Sequence, residues 1–370
     1  MLGTDTISLE SVTRKGNTLT SDEVDRFPEV RIRHAVVDLN ENGSIRHFEM
    51  NINTPAEPSG QRDRKVVADI TGNKVHLSKT DSTGTVNRDF TTGGNIVVAH
   101  VPQMYGLYEL YFAAALKKVM ASKLAPGNPV QMQQFYVDRE FDHFPLGDVQ
   151  VTPLNGGRME ITHDWLAGTG LATIDSAGNL LEYSGTRTTY DVRVKRLASP
   201  PDVKTVADRF AATETAGGRV RSLSVRDTVR AQIGNATFTV DYGRPLVRGR
   251  TLLGDVIPYD RVWRTGANAA TQFIISAPIK LAGMAVPAGA YTLFTAPHTG
   301  GVDLIVNKQT KEWGTDYNPT FNLGSVSVTS GVNSSPVEEF TISIITGDNR
   351  HGELVLAWGS FKWTASIELQ

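Results

Sequence analysis

Short apolar–polar alternations, broken every few residues by glycine and asparagine, constrain this chain more than any other feature. Successive strand side chains point to opposite faces, whereas a helical face repeats at every third or fourth residue, so the pattern reads as strands. Residues 30–39 and 45–52 flank Asn42-Gly43, a pair whose positions both tolerate positive φ and which therefore marks a hairpin. Residues 65–71 and 74–78 flank Gly72-Asn73 in the same way, 170–174 and 180–183 bracket Ser176-Ala177-Gly178, and 188–196 alternates cleanly. Beyond residue 223 strand follows strand: 229–233, 237–242, 271–276, 279–281, 290–295, 302–307, 340–346, 353–358 and 361–368.

One segment breaks the pattern. Residues 104–123 (MYGLYELYFAAALKKVMASK) carry Leu107, Tyr108, Leu110, Tyr111, Ala114 and Ala115, apolar on most sides of a helix. Such a helix is buried. At 370 residues the chain exceeds one ordinary core. The expected fold is mainly β in two domains. The first, 1–198, is a curved antiparallel sheet or open barrel around that helix, with a concave face suited to an apolar or mixed ligand. The second, 223–370, is an antiparallel β-sandwich of jelly-roll type. Between them, 199–222 reads as a linking helix: Ser199 can cap, Pro200 suits the first helical position, and Val203, Val206, Ala207 and Phe210 follow helical spacing before Gly217-Gly218.

Composition removes several function classes. With no cysteine there are no disulfides, thiolate metal sites or thiol nucleophiles. A net charge of −2 gives no global attraction to nucleic acid. No apolar run approaches the roughly 20 residues that span a bilayer. The histidines show no HxH or HExxH spacing, and GxSxG, Walker and strand-linked GxGxxG motifs are missing. No metal and no cofactor are expected. The start, MLGTDTISLE, lacks signal-peptide regions and moves straight into alternation, as removal of a leader would leave it. The expected localisation is exported: periplasmic, outer-membrane-associated or secreted.

The densest chemistry lies in 241–271, DYGRPLVRGRTLLGDVIPYDRVWRTGANAAT. Tyr242, Arg244, Arg248, Arg250, Trp263, Arg264 and Asn268 suit a small polar, anionic or saccharide-like ligand. Guanidinium forks bind carboxylate or phosphate bidentately and stack on aromatic rings. The same residues also serve as corner devices, with arginines paired to Asp241, Asp255 and Asp260 and the tryptophan filling the sandwich. Alternation puts Trp263 and Arg264 on opposite faces, with the larger apolar surface of Trp263 the buried one. For general acid–base work the candidates are His143, His163, Asp164 and His298. Against them, Asp138, Glu140 and Asp142 fall together on a solvated strand face, and a lone loop histidine such as His298 is usually solvated.

Tyr242-x-Arg244-Pro245, Arg248-Gly249-Arg250, the run from Val262 to Asn268 (VWRTGAN) and Ala288-Gly289-x-Tyr291-x-Leu293-Phe294-Thr295 resemble the bacterial family catalogued as domain of unknown function 2911. The resemblance covers roughly 223–368. It implies a compact β domain, usually exported or lipid-anchored, and carries no established activity. Three functions compete: binding of a small polar or anionic molecule at an arginine/aromatic cleft, cofactor-free hydrolysis of an ester or phosphoester, and a structural role in the cell envelope.

Overall fold

Antiparallel pairing begins near the N terminus and proceeds hairpin by hairpin. Strands β1 (Ser8–Lys15), β2 (Thr18–Asp25), β3 (Arg31–Leu39), β4 (Ile45–Asn53), β5 (Arg64–Thr71), β6 (Lys74–Asp81) and β7 (Gly84–Thr91) form a seven-stranded sheet in sequence order. Gly72, at φ 60°, makes the β5–β6 turn in the left-handed region open to glycine. This computed structural model describes all residues except 2–4, 28, 42, 56–62, 95, 138–145, 165, 167 and 219–223. The chain divides into two compact units, Met1–Arg221 and Ser222–Gln370.

A second sheet of the first unit contains β8 (Val97–His100), β9 (Val130–Tyr136), β10 (Leu146–Pro153), β11 (Arg158–His163), β12 (Gly170–Ile174), β13 (Leu180–Ser184) and β14 (Arg193–Lys195). Its one parallel pair is β8 with β9. Parallel neighbours need a crossover, and helix α1 (Tyr108–Ala121) lies in it. Leu107 and Leu110 join the apolar cluster of Phe48 and Phe135. Tyr108 and Tyr111 instead meet the His163 ring, at 5.7 and 6.3 Å between centroids. The first half of the helix, Tyr108 to Ala115, is buried, as its apolar circumference requires, and from Lys117 on the helix is largely exposed.

Helix α2 (Val203–Thr215) is capped by Asp202, whose side chain accepts from the Thr205 N–H at 3.1 Å. The cap lies three residues beyond Ser199, the expected cap, and Pro200 precedes the helix. Ala207 and Phe210 pack on Val24 and Val30, and Glu214 accepts from the Val30 N–H at 3.0 Å. α2 is therefore part of the first unit's packing.

The second unit is one nine-stranded antiparallel sheet. It comprises β15 (Val225–Ile233), β16 (Ala236–Arg244), β17 (Thr271–Ile275), β18 (Ile279–Leu281), β19 (Met284–Val286), β20 (Gly289–His298), β21 (Gly301–Asn307), β22 (Asn322–Thr346) and β23 (His351–Leu369). Early residues of β22 pair with β21 and late ones with β23. Between them the register slips at Val332/Val337 and again at Val337/Thr341, and bulges of this kind bend strands. Ile233 and Val286, from opposite ends of the strand order, share one apolar cluster. At its centre Trp263 stacks on Trp358, with centroids 5.8 Å apart and planes 9° from parallel. The fold is mainly β throughout. Among the described residues, no helix is long and apolar enough to cross a membrane.

Candidate functional site

The seven residues expected to form an arginine/aromatic cleft occupy three different settings. Tyr242 and Trp263 are core residues, both packed edge-on to Phe340. The Tyr242 hydroxyl accepts from the Ile342 N–H at 3.0 Å, and Trp263 exchanges backbone hydrogen bonds with Thr295. Arg244, Arg248 and Arg250 pin the chain around β22. Arg244 pairs with Asp227 at 3.1 Å and Glu339 at 3.0 Å, and donates to the Phe340 carbonyl. The Arg248 N–H donates to Glu338, while Arg250 donates to the carbonyls of Val247 and Leu246. Arg264 and Asn268 lie beside Gly314. A Cβ on Gly314 would fall 2.1 Å from Arg264 Cδ, and the Asn268 carbonyl accepts from the Gly314 N–H. Burial lowers the Arg264 pKa to about 10, so it stays charged at neutral pH.

The other sequence candidates divide as well. His143 lies outside the described residues, as do Asp138, Glu140 and Asp142. His298 is a turn residue: its Nδ1 accepts from the Gly300 N–H at 3.1 Å, and Nε2 stands 3.9 Å from Asp303. His163 and Asp164 belong to something more ordered.

Inward positions of the first unit's strands carry polar groups in quantity. Arg33, Glu23 and Asp25 are fully buried and paired with one another, and Arg31 joins Asp25 at 3.1 Å. Burial nevertheless pushes the Glu23 carboxyl well above the usual range. Glu10 accepts from Ser21 Oγ at 2.6 Å and from the Gly106 N–H at 2.7 Å, and burial raises its pKa to about 7.

On the second sheet a hydrogen-bonded chain starts at the exposed Asp164 carboxylate and runs inward. A carboxylate only accepts, so Tyr136 donates to Asp164, at 2.5 Å. Gln134 Nε2 then donates to the Tyr136 oxygen at 3.0 Å, which turns Gln134 Oε1 toward His163. His163 Nδ1 must carry the proton to donate there, leaving Nε2 to accept from Tyr108, again at 3.0 Å. Burial lowers the His163 pKa to about 3, and burial together with His163 keeps His100 neutral as well. Both nitrogens of His163 are thus committed. Gly147 accommodates the chain, since a Cβ there would fall 2.3 Å from the Tyr136 hydroxyl, and a Cβ on Gly170 would come equally close to the hydroxyl of Tyr183 nearby.

The inner end of this chain, Tyr108, opens on a cleft. Tyr105, Tyr183, Tyr190, His100, Gln103 and Leu166 complete most of its wall. Its internal volume is about 20 Å³, room for a group the size of a water molecule. A larger recess of about 200 Å³ lies between Ser44, Ile96, Ala114, Lys117 and Lys118, but its cations are exposed to solvent. Among the described residues, no group of three or more His, Asp or Glu side chains could hold a metal ion.

Sequence reasoning assigned Tyr108 and Tyr111 to the core and passed over His100, Gln103, Gln134, Tyr183 and Tyr190. One signal was available. His100 ends the apolar run VVAH, and Gln134 sits at an inward position of VQMQQFY, where a strand facing a core carries apolar residues.

Residues 224–367 match the family described as "Protein of unknown function (DUF2911)", and the first unit carries no family match. No curated protein matches the chain. Among solved structures, a DUF1089-family protein from Pseudomonas aeruginosa is 12% identical, with 52% of this chain and 94% of that one covered at a TM-score of 0.39. Botulinum neurotoxin type C is 11% identical over 98% of this chain and 88% of that chain, at a TM-score of 0.12. Both likenesses are too distant to bear on fold or function.

Proposed function

We propose that this is a binding protein whose site is the tyrosine-lined cleft of the first unit, and that it takes a small polar molecule there. The second unit then serves as a rigid β scaffold. The observation that carries this reading is the chain from Asp164 to Tyr108, which fixes the Tyr108 hydroxyl in the cleft wall. Preorganised polar groups in an otherwise apolar recess are the usual construction of a ligand site, because the ordering cost is met during folding. By contrast, Tyr242, Trp263, Arg244 and Arg250 already spend their polar and aromatic groups on their own unit.

The test is a screen of small polar fragments by amide NMR on the isotope-labelled full chain. Perturbations should cluster at residues 100–108 and 183–190. Clustering around Arg244, Arg248, Arg250 and Arg264 instead would return the site to the second unit.

A further inference from the structure

Resting on that reading, we propose that the cleft selects an uncharged, hydroxyl-bearing ligand, and that Gln103 is the residue that recognises the hydroxyl. Gln103 is only 8% exposed and forms part of the cleft wall. Its Nε2 donates to the Tyr190 hydroxyl at 2.9 Å. Its Oε1 is buried and meets no donor. A buried amide prong without a partner is costly, and most such groups in folded proteins are satisfied. A ligand hydroxyl donates and accepts at once, so it completes Gln103 with the amide turned either way.

The backbone supports the assignment. Gln103 has φ 70°, the left-handed region that a residue with a Cβ enters rarely. The Met104 N–H donates to the Val101 carbonyl across this tight turn, and Ser8 Oγ donates to the Gln103 carbonyl. Residues held in this region cluster at ligand clamps and active sites, and here the turn delivers an incompletely bonded polar side chain into a recess.

The neutrality of the ligand follows from the wall. His100 is held neutral by its burial, and burial keeps the hydroxyls of Tyr105, Tyr108, Tyr183 and Tyr190 protonated. The charged groups that act on the wall are Asp25, Arg31 and Arg33 at Tyr190, which pair among themselves, and Glu10 at Tyr105, which accepts from Ser21 and the Gly106 N–H. A charged ligand would lose its hydration and find no counterion. The volume admits one hydroxyl-sized group, so the remainder of the ligand stays outside the cleft.

Calorimetric titration of the full chain tests this with neutral probes (myo-inositol and methyl β-glucoside) and charged ones (gluconate and glucosamine). Neutral probes should bind at least tenfold more tightly than charged ones. Gln103→Leu should weaken them at least tenfold with an unchanged melting temperature. Should Gln103→Leu fail to fold, Tyr190→Phe, which removes only the hydroxyl holding the amide, should give the same loss. Unaltered binding in the folded variant, or tighter binding of a charged probe, overturns the proposal while leaving the cleft as a site. Absence of binding by every probe, with the fragment screen also silent at the cleft, would mean that a water alone fills it and ends both readings.

Discussion

The two units bury different chemistry. Among the described residues, the second unit closes on apolar and aromatic side chains, and its most buried polar residues are Thr265, Thr271, Thr292, Thr295 and Asn307, each hydrogen-bonded. The first unit buries Arg33, Glu23, Asp25, His100, His163 and Gln134. An aromatic core is stable through area and packing alone. A polar interior is stable only while every member keeps its partners. On the proposed reading, a specific motif and a functional site need not coincide. The VWRTGAN stretch carries the family resemblance and puts Trp263 into the aromatic core, whereas the unit without a family match holds the tyrosine-lined cleft.

Several measurements would break or sharpen this contrast. The largest effect is expected from Trp358→Ala, which removes one of the stacked rings at the centre of the second unit. It should cost about 5 kcal/mol, read by denaturant unfolding through tryptophan fluorescence. A loss under about 1 kcal/mol would show that the aromatic cluster is not the core. Arg33→Met comes next, at about 3 kcal/mol, because Glu23 remains buried without its cation and Asp25 keeps only Arg31. Glu23, whose carboxyl burial already pushes upward, escapes the penalty by taking a proton. The loss should therefore be smaller near about pH 4 than near about pH 8, and a pH-independent loss would argue that Arg33 acts only by filling space.

Arg264→Lys should shift stability by less than about 1 kcal/mol, since the alkyl contact with Gly314 is kept and the Arg264 Nε has no hydrogen bond to lose. Fragment binding should be unaltered. Weakened binding with intact stability would reinstate Arg264 as a ligand residue and undo the contrast between the units.

The remaining effect concerns pH. Folding raises the Glu10 pKa from 4.5 to about 7, so its stabilising contribution is complete below 4.5 and is lost as pH rises through 7. Glu10→Gln should remove that decline, because a carboxamide can accept from Gly106 and donate to Ser21. His163 has the opposite sign: lowered from 6.5 to about 3, it contributes stability above 6.5 that is lost as pH falls through 3. A stability profile of Glu10→Gln that still declines through pH 7 as in the parent would place the titrating group elsewhere.

Much of the architecture was legible in the chain itself. Alternation and turn pairs determine the hairpins at 31–53 and 64–81, the apolar circumference of 108–121 places that helix inside, and alternation puts Trp263 in the core. These follow from local geometry: period, turn dihedrals and the width of an apolar face. Residues 322–339, rich in Ser, Gly and Asn, look like a loop and are strand because β21 and β23 offer backbone partners on either side. The cleft was beyond local reading for the same reason. Gln103, Gln134, His163 and Tyr190 are separated by up to 87 residues, and only the stacking of strands brings their polar atoms within hydrogen-bond distance. Local sequence decides which face a side chain takes; tertiary structure alone decides what meets it there.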